Sequence, residues 1–246
     1  MHKNAPARAV VSRRSPARPA MGRLVAISMA LTAGTCLPVW AQSPTGGQVV
    51  NGSATIAQSG AMTTITAGNG AIINWQSFSI GQGQTVQFIQ PGATSTVLNR
   101  VVTPTPSVID GNLFANGRVF LVNPAGVMFG QNAVVNVGGL VAGAASMSDS
   151  DFLSGDIRFT NASGTVVNNG QIKGGEAVLF GRNVENNGLI VAEQGTVMLM
   201  AGDEMFVGKV DGQVFAKVSS KADSGTDKPG VSNTGVIDAR GGSVRL

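Results

Sequence analysis

Three segments of this chain open on the same signature, Asn-x-Gly-x-Ile: NNGQIKGGEAVLF from Asn168, NNGLIVAEQGTVMLMA from Asn186 and NTGVIDARGGSVRL from Asn233. Each is a short apolar strand, a Gly- or Asn-bearing corner and a second strand, at an interval of about 18 residues. Such a unit cannot bury its own apolar face, so neighbouring copies must stack and share one core. Aligned on their starts, Ile172, Ile190 and Ile237 coincide, then Gly174, Ala192 and Ala239, then Val178, Val197 and Val244, then Phe180, Leu199 and Leu246. These positions are expected to face inward. Lys173, Val191 and Asp238, and then Leu179, Met198 and Arg245, take the alternate, outward positions. Gly111–Val122 repeats the theme loosely, with Leu113 and Val119 in inward slots.

The pattern predicts an all-β parallel β-helix. A β-sandwich is the competing architecture, but sandwiches rarely repeat Asn-x-Gly-x-Ile at matched positions. At roughly 20 residues per coil and about 4.8 Å between coils, the chain past residue 41 gives near ten coils and a rod of about 45 to 50 Å. The stretch NGRVFLVNPAGVMFGQNAVVNVGGLVAG, residues 116–143, alternates Gly and Asn with Val, Phe and Leu, as a chain turning every few residues requires. No helical period is visible beyond Ala41. Two interruptions, Ala144–Gly155 and Met205–Gly230, are expected to leave the coil, the second as an extra hairpin capped by a polar loop.

Residues 1–41 are set aside as a targeting segment. Leu24–Leu37 is an apolar run of about 14 residues, shorter than the roughly 20 that a spanning helix needs. Small residues then place a cleavage site between Ala41 and Gln42. The twenty residues before Met21 carry Lys3, Arg8, Arg13, Arg14 and Arg18 among several prolines, so the leader is either extended or starts at Met21. A twin-arginine reading of Arg13-Arg14 is disfavoured by Pro16 and Pro19. Six of the 17 basic residues lie in this segment and none of the 13 acidic ones do, leaving 11 basic and 13 acidic side chains beyond it. The basic excess is thus a property of the leader and gives no reason to expect nucleic acid as a partner.

Chemistry is narrowly bounded. The single histidine, His2, and the single cysteine, Cys36, belong to the leader, and there is no tyrosine. The remaining chain cannot build a Ser-His-Asp or Cys-His site, a nitrogen-sulfur metal site or a disulfide. Catalytic residues, metal and cofactor are all expected to be none. Carboxylate chemistry stays open, because β-helix enzymes can cleave polysaccharides with acidic residues alone. Asp149, Asp151 and Asp156 form the acidic cluster that such an enzyme would use, although a solvated turn explains them more simply than a calcium loop. Gly81-Gln82-Gly83 and Gly138-Gly139 lack the Lys-Ser/Thr of a phosphate loop and read as corners. Trp75, Phe78 and Phe88 could stack on a sugar, but aromatics at strand spacing read first as core.

From Ile72 to Ala142 the chain resembles the secretion domain of filamentous haemagglutinin-type exoproteins, the two-partner secretion (TpsA-type) family. The match is carried by IINWQSFSIGQGQTVQFIQP, TSTVLNRV, PSVIDGNLFANGRVFLVNPAGVMFG and AVVNVGGLVAG. The resemblance implies a right-handed parallel β-helix with an N-terminal cap, over residues 42–246, as the front of a longer passenger. It also implies a partner: a TpsB-type outer-membrane β-barrel transporter with periplasmic repeats. Export to the surface or medium of a Gram-negative bacterium follows, with adhesin-like activity toward host-cell or surface receptors carried by the passenger. Two elements match by position. Asn99-Arg100 corresponds to the family's Asn-Arg, and Asn123-Pro124-Ala125-Gly126 to its Asn-Pro-Asn-Gly turn, with Ala125 in place of the second Asn. Both are candidates for transporter recognition or for a purely structural role. Ala125 disfavours the positive φ of a type II turn and points to type I. The rival functions are a carbohydrate-active β-helix enzyme using aspartates and a minimal adhesin in its own right.

Overall fold

The computed structural model of the protein describes residues 42–210, 213–219 and 230–246. The leader, its Ala41, and the polar loop expected within Met205–Gly230 lie outside the described residues. The backbone winds from sheet to sheet. Among the described residues two eight-stranded sheets and one of five strands are each built from strands far apart in sequence. A representative coil runs from Arg118–Val122 in the first sheet through Val127–Phe129 in the second and Val134–Asn136 in the third, then returns to the first at Gly139–Gly143. Successive coils pair in parallel, Val119 with Leu140 and Leu140 with Ala177. This is the parallel β-helix predicted, not a sandwich.

Among the described residues seven strands of the first sheet, from Ala71–Trp75 to Ser243–Arg245, stack in parallel. Seven turns span about 29 Å at the usual strand spacing, fewer and shorter than the near ten coils expected. The missing residues go elsewhere. Gln48–Asn51 and Ala54–Ser59 run antiparallel to their neighbours and cap the first coil. Residues 144–163 leave the coil, as does the hairpin Glu204–Val210 with Gln213–Ser219. Both excursions were expected; their association was not. The strand Ile157–Phe159 pairs antiparallel with Glu204–Val210, making a separate three-stranded sheet. The first excursion also holds a short helix, Asp149–Ser154, where no helix was predicted. Ser148 caps it, and Gly155 ends it at φ 84°.

The inward slots follow the predicted alternation with one correction. Ile172, Ile190 and Ile237 are in register, as are Val197 and Val244. The partner of Val197 in the preceding coil, however, is Ala177, and that of Leu199 is Leu179. Val178 and Phe180 therefore point out of the coil, and Leu179 points in. The corner Gly174-Gly175 is two residues shorter than Ala192–Gly195, so aligning the strands by their apolar letters slipped the first copy by one position, and one residue inverts every face. The slip was invisible because the outer face is apolar too. Phe120, Val141, Val178, Phe180, Met198 and Met200 form a second core under the two excursions.

Asparagine at the repeat starts is not a solvent-facing corner. Asn168 and Asn186 are fully buried and stacked one coil apart. Asn168 Nδ2 donates to Asn186 Oδ1 and Asn186 Nδ2 to Asn233 Oδ1, each at 2.7 Å. A side-chain amide carries one donor and one acceptor along the coil axis, so an asparagine column satisfies itself inside an apolar core. Glycine columns at the coil corners allow close approach: a Cβ on Gly188 would lie 2.2 Å from the Gly170 carbonyl oxygen, and one on Gly195 would lie 1.9 Å from that of Gly175.

Candidate functional site

Strand alternation splits the Asn99-Arg100 pair. On Thr96–Val101, Asn99 is paired with Ile73 and Leu121 in a column that faces the interior, while Arg100 faces out. Asn99 is completely buried. Its Oδ1 accepts from the indole Nε1 of Trp75 at 3.0 Å, and its Nδ2 donates to the carbonyl of Phe120 at 3.3 Å. Trp75 itself is buried against Phe78 in an edge-to-face contact of 5.4 Å, and Phe78 stacks on Phe88. These three aromatics are core, as the strand spacing suggested. Asn99 is thus the polar partner that lets a tryptophan sit inside the coil.

Arg100 reaches the opposite way. Its Nη2 donates to the backbone carbonyl of Met147 at 3.1 Å and pairs with Asp149, and its Nη1 donates to Asn74 Oδ1 at 3.3 Å. It therefore ties the outer face of an early coil to the start of the short helix in the first excursion. Two more ion pairs act in the same region. Arg118 pairs with Glu176 two coils away, passing over Gly139, where a Cβ would lie 3.2 Å from Arg118 Cγ. Arg182 Nη1 meets Asp203 Oδ1 at 2.8 Å. Gly139, expected as a corner, is the first residue of a strand and serves this crossing.

The Asn123–Gly126 element is a hydrogen-bonded turn. Gly126 N–H donates to the Asn123 carbonyl at 2.9 Å, and Ala125 N–H to Asn123 Oδ1 at 3.0 Å. Ala125 does not have a positive φ, in keeping with a type I turn. Asn123 is fully buried; its Nδ2 donates to the Thr105 carbonyl at 2.9 Å and to Ser107 Oγ at 3.0 Å. Pro124 supplies a fixed φ at the first turn position and needs no donor there.

The two elements converge on one surface. Arg100, Val102, Pro104, Pro124, Ala125 and Met147 line a groove of about 360 Å³ across three successive coils, where the first sheet hands over to the second. Its walls are mostly apolar, and the guanidinium of Arg100 is its charged edge. Asn99 and Asn123 stand behind this groove and shape it without being reachable from it. Sequence reasoning missed Met147, which closes the groove from the excursion, and read Asp149 as part of an acidic cluster and not as the partner of Arg100. The acidic run SDSDFLSGD was the signal: an acidic segment leaving a coil invites an arginine on the body it returns to.

The three aspartates of that run are separately engaged. Asp149 pairs with Arg100. Asp151 accepts from Ser148 Oγ and lies 3.5 Å from Arg158 Nε, and Asp156 accepts from Ser154 Oγ at 3.2 Å. Among the described residues no three His, Cys, Asp or Glu side chains are grouped to hold a metal.

Comparison with known proteins agrees with this fold. Residues 41–246 match the family model described as TPS secretion domain. The heme/hemopexin-binding protein of Haemophilus influenzae strain Rd is 35% identical over 210 residues, covering 80% of this chain and 23% of that protein. A second heme/hemopexin-binding protein of Haemophilus influenzae is 43% identical over 97 residues, covering 39% of this chain and 10% of the relative. The chain thus spans under a quarter of the length of these relatives. Among solved structures, the HMW1 secretion domain of Haemophilus influenzae superposes with a TM-score of 0.74 at 31% identity, covering 82% of this chain and 55% of that one. The filamentous hemagglutinin secretion domain gives a TM-score of 0.51 at 14% identity, covering 83% of this chain and 99% of that one, a likeness of fold alone.

Proposed function

Because the chain belongs to the TPS secretion domain family, whose members are exoproteins secreted by Gram-negative bacteria through a cognate transporter, we propose that residues 42–246 are the export module of an adhesin-like or heme/hemopexin-binding exoprotein. In this reading residues 1–41 are a signal peptide cleaved between Ala41 and Gln42. The periplasmic repeats of a TpsB-type outer-membrane barrel then engage the module, and folding of the chain is completed at the cell surface. The observation that carries the reading is the groove at the junction of the first two sheets, where Arg100, Pro124 and Ala125 from the two family motifs meet.

Recognition falls to the accessible members of those motifs. Arg100, Pro124 and Ala125 contact the transporter, and Asn99 and Asn123 hold them in place. Receptor binding belongs to the passenger. Residues 42–246 contain no histidine, cysteine or tyrosine, which leaves methionine as the one usual axial ligand type for haem. Haem capture is accordingly assigned to other parts of such an exoprotein. The family is a secretion domain and not a known enzyme family, and the aspartates that a carbohydrate-active alternative would use are engaged in helix capping and ion pairing.

Folding supplies a direction for export. Each coil contacts chiefly its neighbours, so the helix can grow as chain emerges, and return through the pore becomes unfavourable. The test is capture of the full chain by its transporter, with Val102→Glu and Ala125→Glu in the groove set against Glu185→Gln on an exposed face. The groove variants are expected to lower capture about tenfold, equivalent to about 1.4 kcal/mol, with Glu185→Gln unchanged. Equal capture of all three would remove the groove from the account.

A further inference from the structure

Methionine is divided unevenly between the two cores. Beyond residue 41 the chain has six, of which Met62 and Met128 lie on the surface, 47% and 39% exposed. The other four, Met147, Met198, Met200 and Met205, all belong to the second core and are at most 8% exposed. Among the described residues the core inside the coil contains none. Stacked coils repeat one shape and suit Ile, Val, Leu and Ala, whereas the second core joins two surfaces that share no pattern and needs an adaptable, unbranched side chain. Both surfaces supply it. Met198 and Met200 stand on the outer face of Thr196–Ala201, in register with Val178 and Phe180, while Met147 and Met205 come from the excursions that cover them. The cover fits closely: Phe159 stacks on Phe180 at 5.4 Å, Phe152 meets Phe120 edge-on at 5.1 Å, and a Cβ on Gly143 would lie 2.3 Å from the Phe159 ring. It closes only once Ile157–Phe159 has paired with Glu204–Val210, whereas each coil needs only its neighbours. Coils therefore form first and leave Met198 and Met200 open in the interval.

We infer that these four methionines are an oxidative modification site, with peroxide as the reactant, and that their oxidation holds the two excursions off a coil that stays folded. The chemistry is a two-electron oxidation of the thioether: one peroxide oxygen bonds to sulfur, the O–O bond breaks, and the other oxygen leaves with both hydrogens as water. Sulfur is oxidised and peroxide reduced. The sulfoxide is polar and chiral where the thioether was apolar, and burying its oxygen among hydrophobic side chains without a donor is unfavourable. The backbone ladder and the methionine-free inner core do not meet it. Damage is thus confined to the seam between coil and cover, and enzymatic reduction of the sulfoxides reverses it.

Peroxide treatment of the purified full chain, read by peptide mass spectrometry and limited proteolysis, tests this. In the folded protein Met62 and Met128 should oxidise at least about tenfold faster than Met198 and Met205, because reactivity follows exposure. The chain oxidised in urea and then refolded should regain its β circular dichroism, yet trypsin should cut it after Arg158 at least about tenfold faster than the unoxidised chain refolded alongside, because cleavage there needs Ile157–Phe159 to be undocked. Cleavage after Lys173, within the coil, should stay slow. Methionine sulfoxide reductases should restore protection, and the variant with Met147, Met198, Met200 and Met205 all replaced by Leu, which nearly conserves volume, should keep it throughout. Equal cleavage after Arg158 with and without oxidation, loss of the β signal on oxidation, or equal sensitivity of the leucine variant overturns the inference. Should the leucine variant not fold, the reductase treatment decides, and cleavage that persists after the sulfoxides are reduced overturns it.

Discussion

The indole nitrogen of Trp75 donates a hydrogen bond to Asn99 Oδ1 across one coil of the helix, at 3.0 Å and with both side chains out of reach of solvent. This places half of the Asn-Arg element in the core. Replacing Asn99 by Ala orphans the indole N–H, at roughly 1–3 kcal/mol for a buried group left unpaired, and removes a side-chain donor from the Phe120 carbonyl. Trp75→Phe removes the donor, so adding it to Asn99→Leu should recover part of the loss. Urea midpoints of the single and double variants check this.

The asparagine column gives a second contrast within one dipeptide. Asn186 bonds above and below in the interior, whereas Asn187 is exposed and bonds to Asn169 and Thr234 at the surface. Asn186→Ala is expected to cost roughly 1–3 kcal/mol, and Asn187→Ala to stay within about 0.5 kcal/mol. Equal effects in denaturant titrations would mean that the column is not a structural element.

Gly195 packs its α-carbon against the Gly175 carbonyl, where a methyl group would stand 1.9 Å from the oxygen. Gly195→Ala should therefore destabilise by roughly 1–3 kcal/mol through forced separation of two coils. Gly92, which has nothing within 4 Å of a Cβ, should tolerate alanine. Thermal unfolding of the two variants separates close packing from a general loss of glycine.

Arg100 has three acceptors, one of them its ionic partner Asp149. Its side chain is 21% exposed and that of Asp149 50%, so the ion pair itself contributes little, about 0.2–1 kcal/mol. Arg100→Ala also strips the Met147 carbonyl of a donor and should cost more than Asp149→Asn. A double-mutant cycle reads the difference. A coupling energy equal to the whole cost of Arg100→Ala would contradict the bond to Met147.

At the last coil the side-chain hydrogen bond from Arg240 holds the Asp238 carboxyl below its ordinary range. A depressed folded value stabilises above the unfolded value and is lost as pH falls through the folded one. Arg240→Ala should return Asp238 toward the ordinary carboxylate range, as seen by NMR titration.

Much of this was legible from Ile172, Ile190 and Ile237, whose recurrence required stacked coils and set the inward column of the third sheet correctly. The first sheet was harder. Val178 and Phe180 look like core residues and are core residues, but of a second core that exists only because distant excursions fold over it. Alternation cannot separate two buried faces, and the pairing of Ile157–Phe159 with Glu204–Val210 joins segments with no shared pattern. Likewise Asn168 and Asn186 looked like corners because asparagine favours turns. Only the register one coil away turns an isolated buried amide into a satisfied column. Within the candidate site, the turn at Asn123 was readable from Pro124 and Ala125, while the groove required knowing that Met147 returns across Arg100.

The central claim is that this helix is an export module read by a dedicated transporter, and the most direct measurement is the fraction of the chain outside the cell with and without that transporter. The account predicts extracellular protein only when the transporter is present, with the chain retained in the periplasm otherwise. Equal release in both cells, or retention despite a functional transporter, would contradict it.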